Sequence, residues 1–141
     1  NGIGLYNSRL DYFFRDWREN KSIPMDSEVL KNLFNICEEV LGYKRSINVQ
    51  ITSGYRTKKT NEKLRVRSKN VAKNSLHIEG KAIDFAIREV SQKKLRSAAK
   101  NICSGGLGFY PGFVHIDSGP IRRWVATCSF LSNFWSSSYK L

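Results

Sequence analysis

The chain has only two histidines, His77 and His115, and each stands near a carboxylate. Asp84 follows His77 by seven positions across a turn marked by Gly80, and Asp117 follows His115 by two. Two imidazoles and one carboxylate (His77, His115 and Asp84) make a donor set suited to Zn²⁺. Three protein ligands leave a fourth position for water, which a catalytic zinc needs and a structural zinc lacks. Spacing alone leaves the plainer alternative open, in which both histidines are ordinary packed or solvated side chains.

The elements that must position these residues can be read from periodicity. Ala82 to Ile87 alternates as a strand, with Ile83, Phe85 and Ile87 on one face and Ala82, Asp84 and Ala86 on the other. The Asp84 carboxylate is thus flanked by small residues and has room in front of it. Phe113 to Asp117 predicts a second strand whose Val114 and Ile116 face away from Phe113, His115 and Asp117. His115 and Asp117 then share a face, about 7 Å apart by the rise per residue. Tyr110-Pro111-Gly112-Phe113 carries the Pro and Gly of a type II turn and closes this strand into a hairpin. A third strand is expected where Ile47, Val49 and Ile51 alternate with polar residues, running into Ser53-Gly54-Tyr55-Arg56.

Helical spacing accounts for much of the rest. Leu10, Phe13, Phe14 and Trp17 predict a short amphipathic helix, interrupted by Ile23-Pro24. Asp26 or Ser27 caps a second helix, carried by Val29, Leu30, Leu33, Phe34, Cys37, Val40 and Leu41 and stopped at Gly42. A short helix is expected over Lys58 to Arg65, then a polar loop from Arg67 to Asn74. Ser91 caps a last helix through Leu95, Ala98, Ala99 and Ile102, ended by Gly105 and Gly106. The tail beyond Trp124, with Phe130, Phe134, Trp135 and Tyr139, is expected to pack against the domain.

At 141 residues the chain suits a single domain, long enough to bury a core without a disulfide or metal as a staple. No apolar run reaches the ~20 residues of a membrane span. The start at Asn1 rather than Met is expected to reflect trimming, with any export signal already removed. A net charge of +12 favours a polyanionic neighbour: nucleic acid, an anionic membrane surface or an acidic wall polymer. Neither a zinc finger nor an RRM-like aromatic motif supports nucleic acid as the partner. Cys37, Cys103 and Cys128 lack CxxC spacing, which argues against a thiolate zinc site; Cys37 and Cys103 read as small buried hydrophobes.

One stretch is far more specific than composition. Ser75-Leu76-His77-Ile78-Glu79-Gly80-Lys81-Ala82-Ile83-Asp84 fits S-x-H-x-x-G-x-A-x-D at every fixed position. The pattern resembles that of the zinc D,D-peptidases of bacterial cell walls, which include VanX-type dipeptidases and MepK-type murein endopeptidases. Ser53-Gly54-Tyr55-Arg56-Thr57 with Asn61 and Leu64 resembles their upstream segment. The run from Gly105 to Pro111, followed by Phe113 to Trp124, resembles the MepK-type subgroup. The match covers about Ile47 to Trp124, with helices before it in 1–46 and a tail in 125–141, as one domain over 1–141.

The resemblance implies an α+β fold: a central antiparallel sheet, helices packed on one side, and one zinc ion on the open face. It implies His77, Asp84 and His115 as the ligands, and hydrolysis of amide bonds in peptidoglycan stem peptides or cross-links, most like a D,D-endopeptidase. A D-Ala-D-Ala carboxypeptidase or dipeptidase uses the same chemistry, and a non-catalytic wall-binding module would keep the fold and metal. It implies an exported protein of the periplasm or cell envelope; a monomer is expected. Arg56 is the candidate for stabilising the oxyanion or for holding a substrate carboxylate. Ser75 and Tyr110 are candidate substrate contacts, and Tyr55, Phe109 and Phe113 could line a groove or simply pack. Many relatives carry Glu three residues before the last histidine, where this chain has Gly112. Asp117 is the natural substitute as general base, or else a partner that orients His115. Glu79 reads as a solvated loop residue.

Overall fold

The computed structural model describes residues 2–126, with side chains described from residue 8; Cys128 and the aromatic tail residues Phe130, Phe134, Trp135 and Tyr139 lie outside the described residues. The elements run α1 (Gly2–Phe13), α2 (Ser27–Leu41), β1 (Gln50–Ser53), α3 (Lys58–Arg67), a 3₁₀ turn (Leu76–Glu79), β2 (Ala82–Ala86), α4 (Gln92–Ile102), β3 (Gly106–Phe109), β4 (Val114–Asp117) and β5 (Arg122–Val125).

Local chemistry sets most of these boundaries. Asp26 is the cap of α2, accepting the N–H groups of Glu28 and Val29 at 3.0 and 3.2 Å, and Gly42 ends the helix at a φ of 54°. Val29, Leu33, Ile36 and Val40 are the buried stripe of α2, while Phe34 turns outward at 44% exposed. Ser91 caps α4, whose Leu95, Ala98 and Ala99 face the same core. That core lies between α2, α4 and one face of the sheet, which contributes Ile83, Phe85, Leu107, Val114 and Ile116. Cys103 is buried within it, Cys37 packs at its margin, and both are free thiols.

The helix expected through Trp17 stops short. α1 ends at Phe13, and Trp17 lies beyond it, 39% exposed. Asp16 provides the reason. Its carboxylate accepts the N–H groups of Arg18 and Glu19, a local turn that competes with helix. Its backbone pairs with Lys21, and its second oxygen accepts the Thr57 N–H at 2.9 Å. This segment also delivers the Phe14 carbonyl to the Tyr55 N–H at 2.8 Å. The backbone passes so near that a Cβ on Gly54 would stand 2.5 Å from that oxygen.

The sheet order is β1-β2-β4-β3-β5. The first three pairings are antiparallel, but β5 runs parallel to β3, so the sheet is mixed rather than wholly antiparallel. Both edges of β4 are taken, by β2 and β3, so the chain leaving β4 joins at an outer edge of the sheet, that of β3. A strand returning antiparallel to β4 is necessarily parallel to β3. The connection from Ser118 to Ile121 must cross two strand spacings, about 9–10 Å. It does so over the start of β3, where a Cβ on Gly105 would lie 2.0 Å from the Asp117 carbonyl oxygen and one on Gly106 would meet the Asp117 carboxylate. These glycines serve the crossing; α4 already ends at Ile102 with Cys103 as its cap.

Three other boundaries differ from the periodicity. β1 begins at Gln50 rather than Ile47, and β2 ends at Ala86. The turn between β3 and β4 is not type II, because Gly112 does not adopt the positive φ that type requires.

Two stability predictions follow from this geometry. Gly105→Ala should cost roughly 1–3 kcal/mol in urea unfolding through overpacking, whereas Gly112→Ala, with nothing within 4 Å of its added Cβ, should not. For Asp16, burial opposes ionisation, but the Thr60 hydroxyl beside it and the Thr57 N–H outweigh burial and hold the pKa below its usual value of 3.8. A depressed carboxylate pKa contributes stability above pH 3.8 that is lost as pH falls through the folded value. Asp16→Asn should therefore lower stability by roughly 1–3 kcal/mol at pH 7, a deficit that shrinks in melts taken progressively below pH 3.8.

Candidate metal centre and its cleft

The Ser75–Asp84 stretch is a cap, one turn, a stop and a strand. Ser75 Oγ accepts the His77 N–H at 3.3 Å and starts the 3₁₀ turn. Gly80 ends it in the left-handed region, with φ 67°. A Cβ there would press on the Pro24 carbonyl oxygen at 3.0 Å, so the segment entering α2 braces the turn. Lys81 then leads into β2, whose Ala82 is fully buried and whose Asp84 points away from the core.

Strand register brings the remaining groups into one row. Ser53, Asp84, His115, Gly108 and Trp124 are successive cross-strand partners over β1, β2, β4, β3 and β5. An irregularity in β1 between Ile51 and Ser53 puts Ser53 opposite Asp84. Gly108 leaves space for the Trp124 indole, which would sit 2.3 Å from a Cβ there and whose ring lies 5.3 Å from that of His115.

His77, Asp84 and His115 converge, each offering one ligand atom within 4.8 Å of the others. His77 Nδ1 is 2.7 Å from the Gly54 carbonyl oxygen. A carbonyl can only accept, so Nδ1 carries the hydrogen and Nε2 keeps its lone pair, facing Asp84 Oδ2 at 3.2 Å. His115 has a carboxylate at each ring nitrogen, Asp117 Oδ2 at 3.1 Å from Nε2 and Asp84 Oδ1 at 2.7 Å from Nδ1; metal binding through Nδ1 requires the tautomer that keeps its hydrogen on Nε2, toward Asp117. Both imidazoles thus point a ring nitrogen at one buried carboxylate, an arrangement that a cation, proton or metal, holds together. The donors are two nitrogens and a carboxylate oxygen, a set that fits a divalent metal of the zinc type.

The electrostatics agree with this reading. Burial depresses the His77 pKa and the Arg56 charge depresses it further, keeping the imidazole neutral, as a ligand must be. Burial opposes ionisation of Asp84, yet the facing imidazoles, His77 foremost, hold it well below the usual carboxylate range. Burial lowers His115, but Asp117 and Asp84 more than offset this and raise its pKa. Proton and metal thus compete for the same lone pair.

Arg56 is 7% exposed and its guanidinium is fixed by Asp84 Oδ2 at 2.8 Å and Ser53 Oγ at 2.7 Å, while its backbone N–H donates to the His77 carbonyl. Asp117 has no exposed surface. Its Oδ1 accepts the N–H groups of Gly106 and Gly119, both at 2.9 Å, and its Oδ2 faces His115 and Arg122. Burial would raise its pKa, but His115 and the Gly119 N–H bring it down to about 2. Tyr110 stacks on Phe113 at 4.4 Å between centroids and accepts the Trp124 Nε1–H at 3.2 Å.

The structure brings His77, Asp84, His115, Asp117, Arg56, Ser75 and Tyr110 to one cleft, as the residue types predict, and Phe113 joins them. Tyr55 and Phe109 instead pack against the core. Glu79 lies outside the cleft, paired with Lys81 at 2.8 Å on the surface. Sequence reasoning missed Arg18, Arg122 and Trp124 as cleft residues. The Arg122-Arg123-Trp124 run marked the family, but nothing in it announced that β5 would lie beside β3.

A mixed sheet thus carries a helical layer on one face and, on the other, a cleft with a candidate metal centre of two imidazoles and a carboxylate. The family model for the peptidoglycan L,D-endopeptidase MepK matches residues 5–124, and the chain belongs to this family. It is 43% identical over 119 residues to the peptidoglycan L,D-endopeptidase MepK of Escherichia coli K12, covering 83% of this chain and 64% of the relative. It is also 43% identical over 118 residues to the probable peptidoglycan L,D-endopeptidase MepK of Haemophilus influenzae, covering 82% of this chain and 62% of that protein. The chain thus spans less than two thirds of the length of these curated relatives.

Elemental mass spectrometry of the purified protein should find one divalent ion per chain. Asp84→Asn, which keeps the side chain's shape but removes its charge, should bring this well below one equivalent while far-ultraviolet circular dichroism stays unchanged.

Proposed function

We propose that this chain is a zinc endopeptidase that hydrolyses amide bonds in the cross-linked peptides of peptidoglycan, working in the cell envelope where that polymer lies. The observation that carries the reading is the convergence of the His77 and His115 imidazoles on the buried Asp84 carboxylate in one cleft. The sequence pattern favoured a D,D bond; the relatives are named L,D-endopeptidases, and we adopt that bond as the substrate.

Zinc in such a site supplies a Lewis acid and lowers the pKa of water to roughly 7. The protein's own groups do the rest. Arg56 spends two of its five N–H donors on Ser53 and Asp84 and keeps others for the carbonyl oxygen of the scissile bond, where negative charge develops. The Tyr110 hydroxyl already accepts from Trp124, so its own proton is available to a substrate carbonyl. Ser75 acts on substrate only indirectly, because its hydroxyl caps the turn that carries His77.

For Asp117 we favour a positioning role over that of general base. Its oxygens are engaged by two backbone N–H groups, Arg122 and His115, and a carboxylate with a pKa of about 2 is a weak base. Its bond to His115 Nε2 selects the tautomer whose Nδ1 can bind metal.

The test is digestion of purified sacculi, with released muropeptides identified by mass spectrometry. New peptide ends should appear with zinc-loaded protein, vanish with chelator and return on adding zinc. A full zinc complement without cleavage would instead support a wall-binding module, the reading that Gly112 in place of the usual Glu favours. Asp117→Asn should weaken zinc binding roughly 10–100-fold, and excess zinc should restore most of its activity; activity that stays low at full zinc occupancy would return the role of base to Asp117.

A further inference from the structure

Three arginines line the cleft: Arg18, Arg56 and Arg122. Arg56 meets Asp84 and Arg122 meets Asp117, so two of the three charges are answered within the protein. Among the described residues, no carboxylate comes within ion-pair distance of the Arg18 guanidinium. Asp16 is near enough to pull on it, but the Asp16 oxygens are taken by the N–H groups of Arg18, Glu19 and Thr57.

Arg18 is nonetheless held in place. Its guanidinium lies over the Trp17 ring, 4.4 Å from the centroid, a contact that orients the plane without neutralising the charge. Its backbone belongs to the turn made by Asp16 and Lys21, and Asp16 ties that turn to Thr57, the residue after Arg56. The backbone that carries Arg18 is therefore tied to the reacting end of the cleft, and its exposed side chain stands at the rim against Trp17. An accessible planar guanidinium without an acid of its own is a receptor for a carboxylate.

We propose that Arg18 forms a subsite for a free carboxylate of the bound peptide, away from the amide that is cut, and so sets a preference for acidic over amidated stem peptides. The proposal rests on the peptidoglycan reading for the identity of the peptide, and on the geometry for the carboxylate.

The experiment compares a cross-linked muropeptide bearing free carboxylates with its amidated counterpart, on zinc-loaded wild type, Arg18→Gln and Arg18→Lys. Arg18→Gln should raise KM for the acidic peptide about tenfold, the scale of one charge-assisted hydrogen bond. It should leave kcat and the amidated peptide unaffected, and Arg18→Lys should recover part of the loss. Equal handling of both peptides by wild type, or an Arg18→Gln variant that keeps the wild-type preference, would overturn the proposal. Calorimetric binding of the same two peptides is measured alongside. If wild type cleaves neither, a preference for the acidic peptide that Arg18→Gln abolishes still upholds the subsite, and no preference refutes it.

Discussion

The site depends on two imidazoles and a guanidinium meeting on one buried carboxylate. Asp84 is ionised and buried, and its two oxygens face His77 Nε2 and His115 Nδ1. Each imidazole has its other nitrogen committed, one to the Gly54 carbonyl and one to Asp117. Neither ring can turn without breaking a buried hydrogen bond, which costs more than a net bond is worth. Arg56 answers part of the Asp84 charge at one oxygen. Three groups able to hold a metal ion are thereby kept within 4.8 Å of one another.

Holding acceptors together requires rigid backbone, and the fold supplies it from both sides. The sheet places Asp84 and His115 as direct cross-strand partners. Gly108 and Trp124, next in the same row, close the far wall of the cleft. On the near side, the Phe14 carbonyl holds Tyr55, the Gly54 carbonyl holds His77, and the His77 carbonyl holds Arg56. These links thread the N-terminal segment, the strand end of β1 and the 3₁₀ turn into one unit. The glycines at 54, 105, 106 and 108 stand where another backbone, the Asp117 carboxylate or an indole approaches too closely for any side chain.

The whole chain is strongly basic, and the part that borders the cleft from α3 to the 3₁₀ turn is rich in Lys and Arg. At the floor Arg56 and Arg122 meet Asp84 and Asp117. On α3, Lys59 and Lys63 pair with Glu19 and Arg65 with Glu62, so part of the basic excess there is answered as well.

The grouping of His77, Asp84 and His115 was legible in the sequence because the positioning of each is local. Ser75 capping and Gly80 stopping a single turn, and strand alternation around Asp84 and His115, need no knowledge of distant neighbours. The caps of α2 and α4 and the faces of β2 and β4 were legible for the same reason. The parallel addition of β5, the place of Trp124 over Gly108, the use of Gly105 and Gly106 for a chain crossing, and the early end of α1 at the Asp16 turn were not. Each depends on which strand edge remains free, or on where a backbone remote in sequence passes. Periodicity carries no record of either, so only the folded chain could settle whether Asp117 faces open solvent or His115, and that Arg18 joins the cleft.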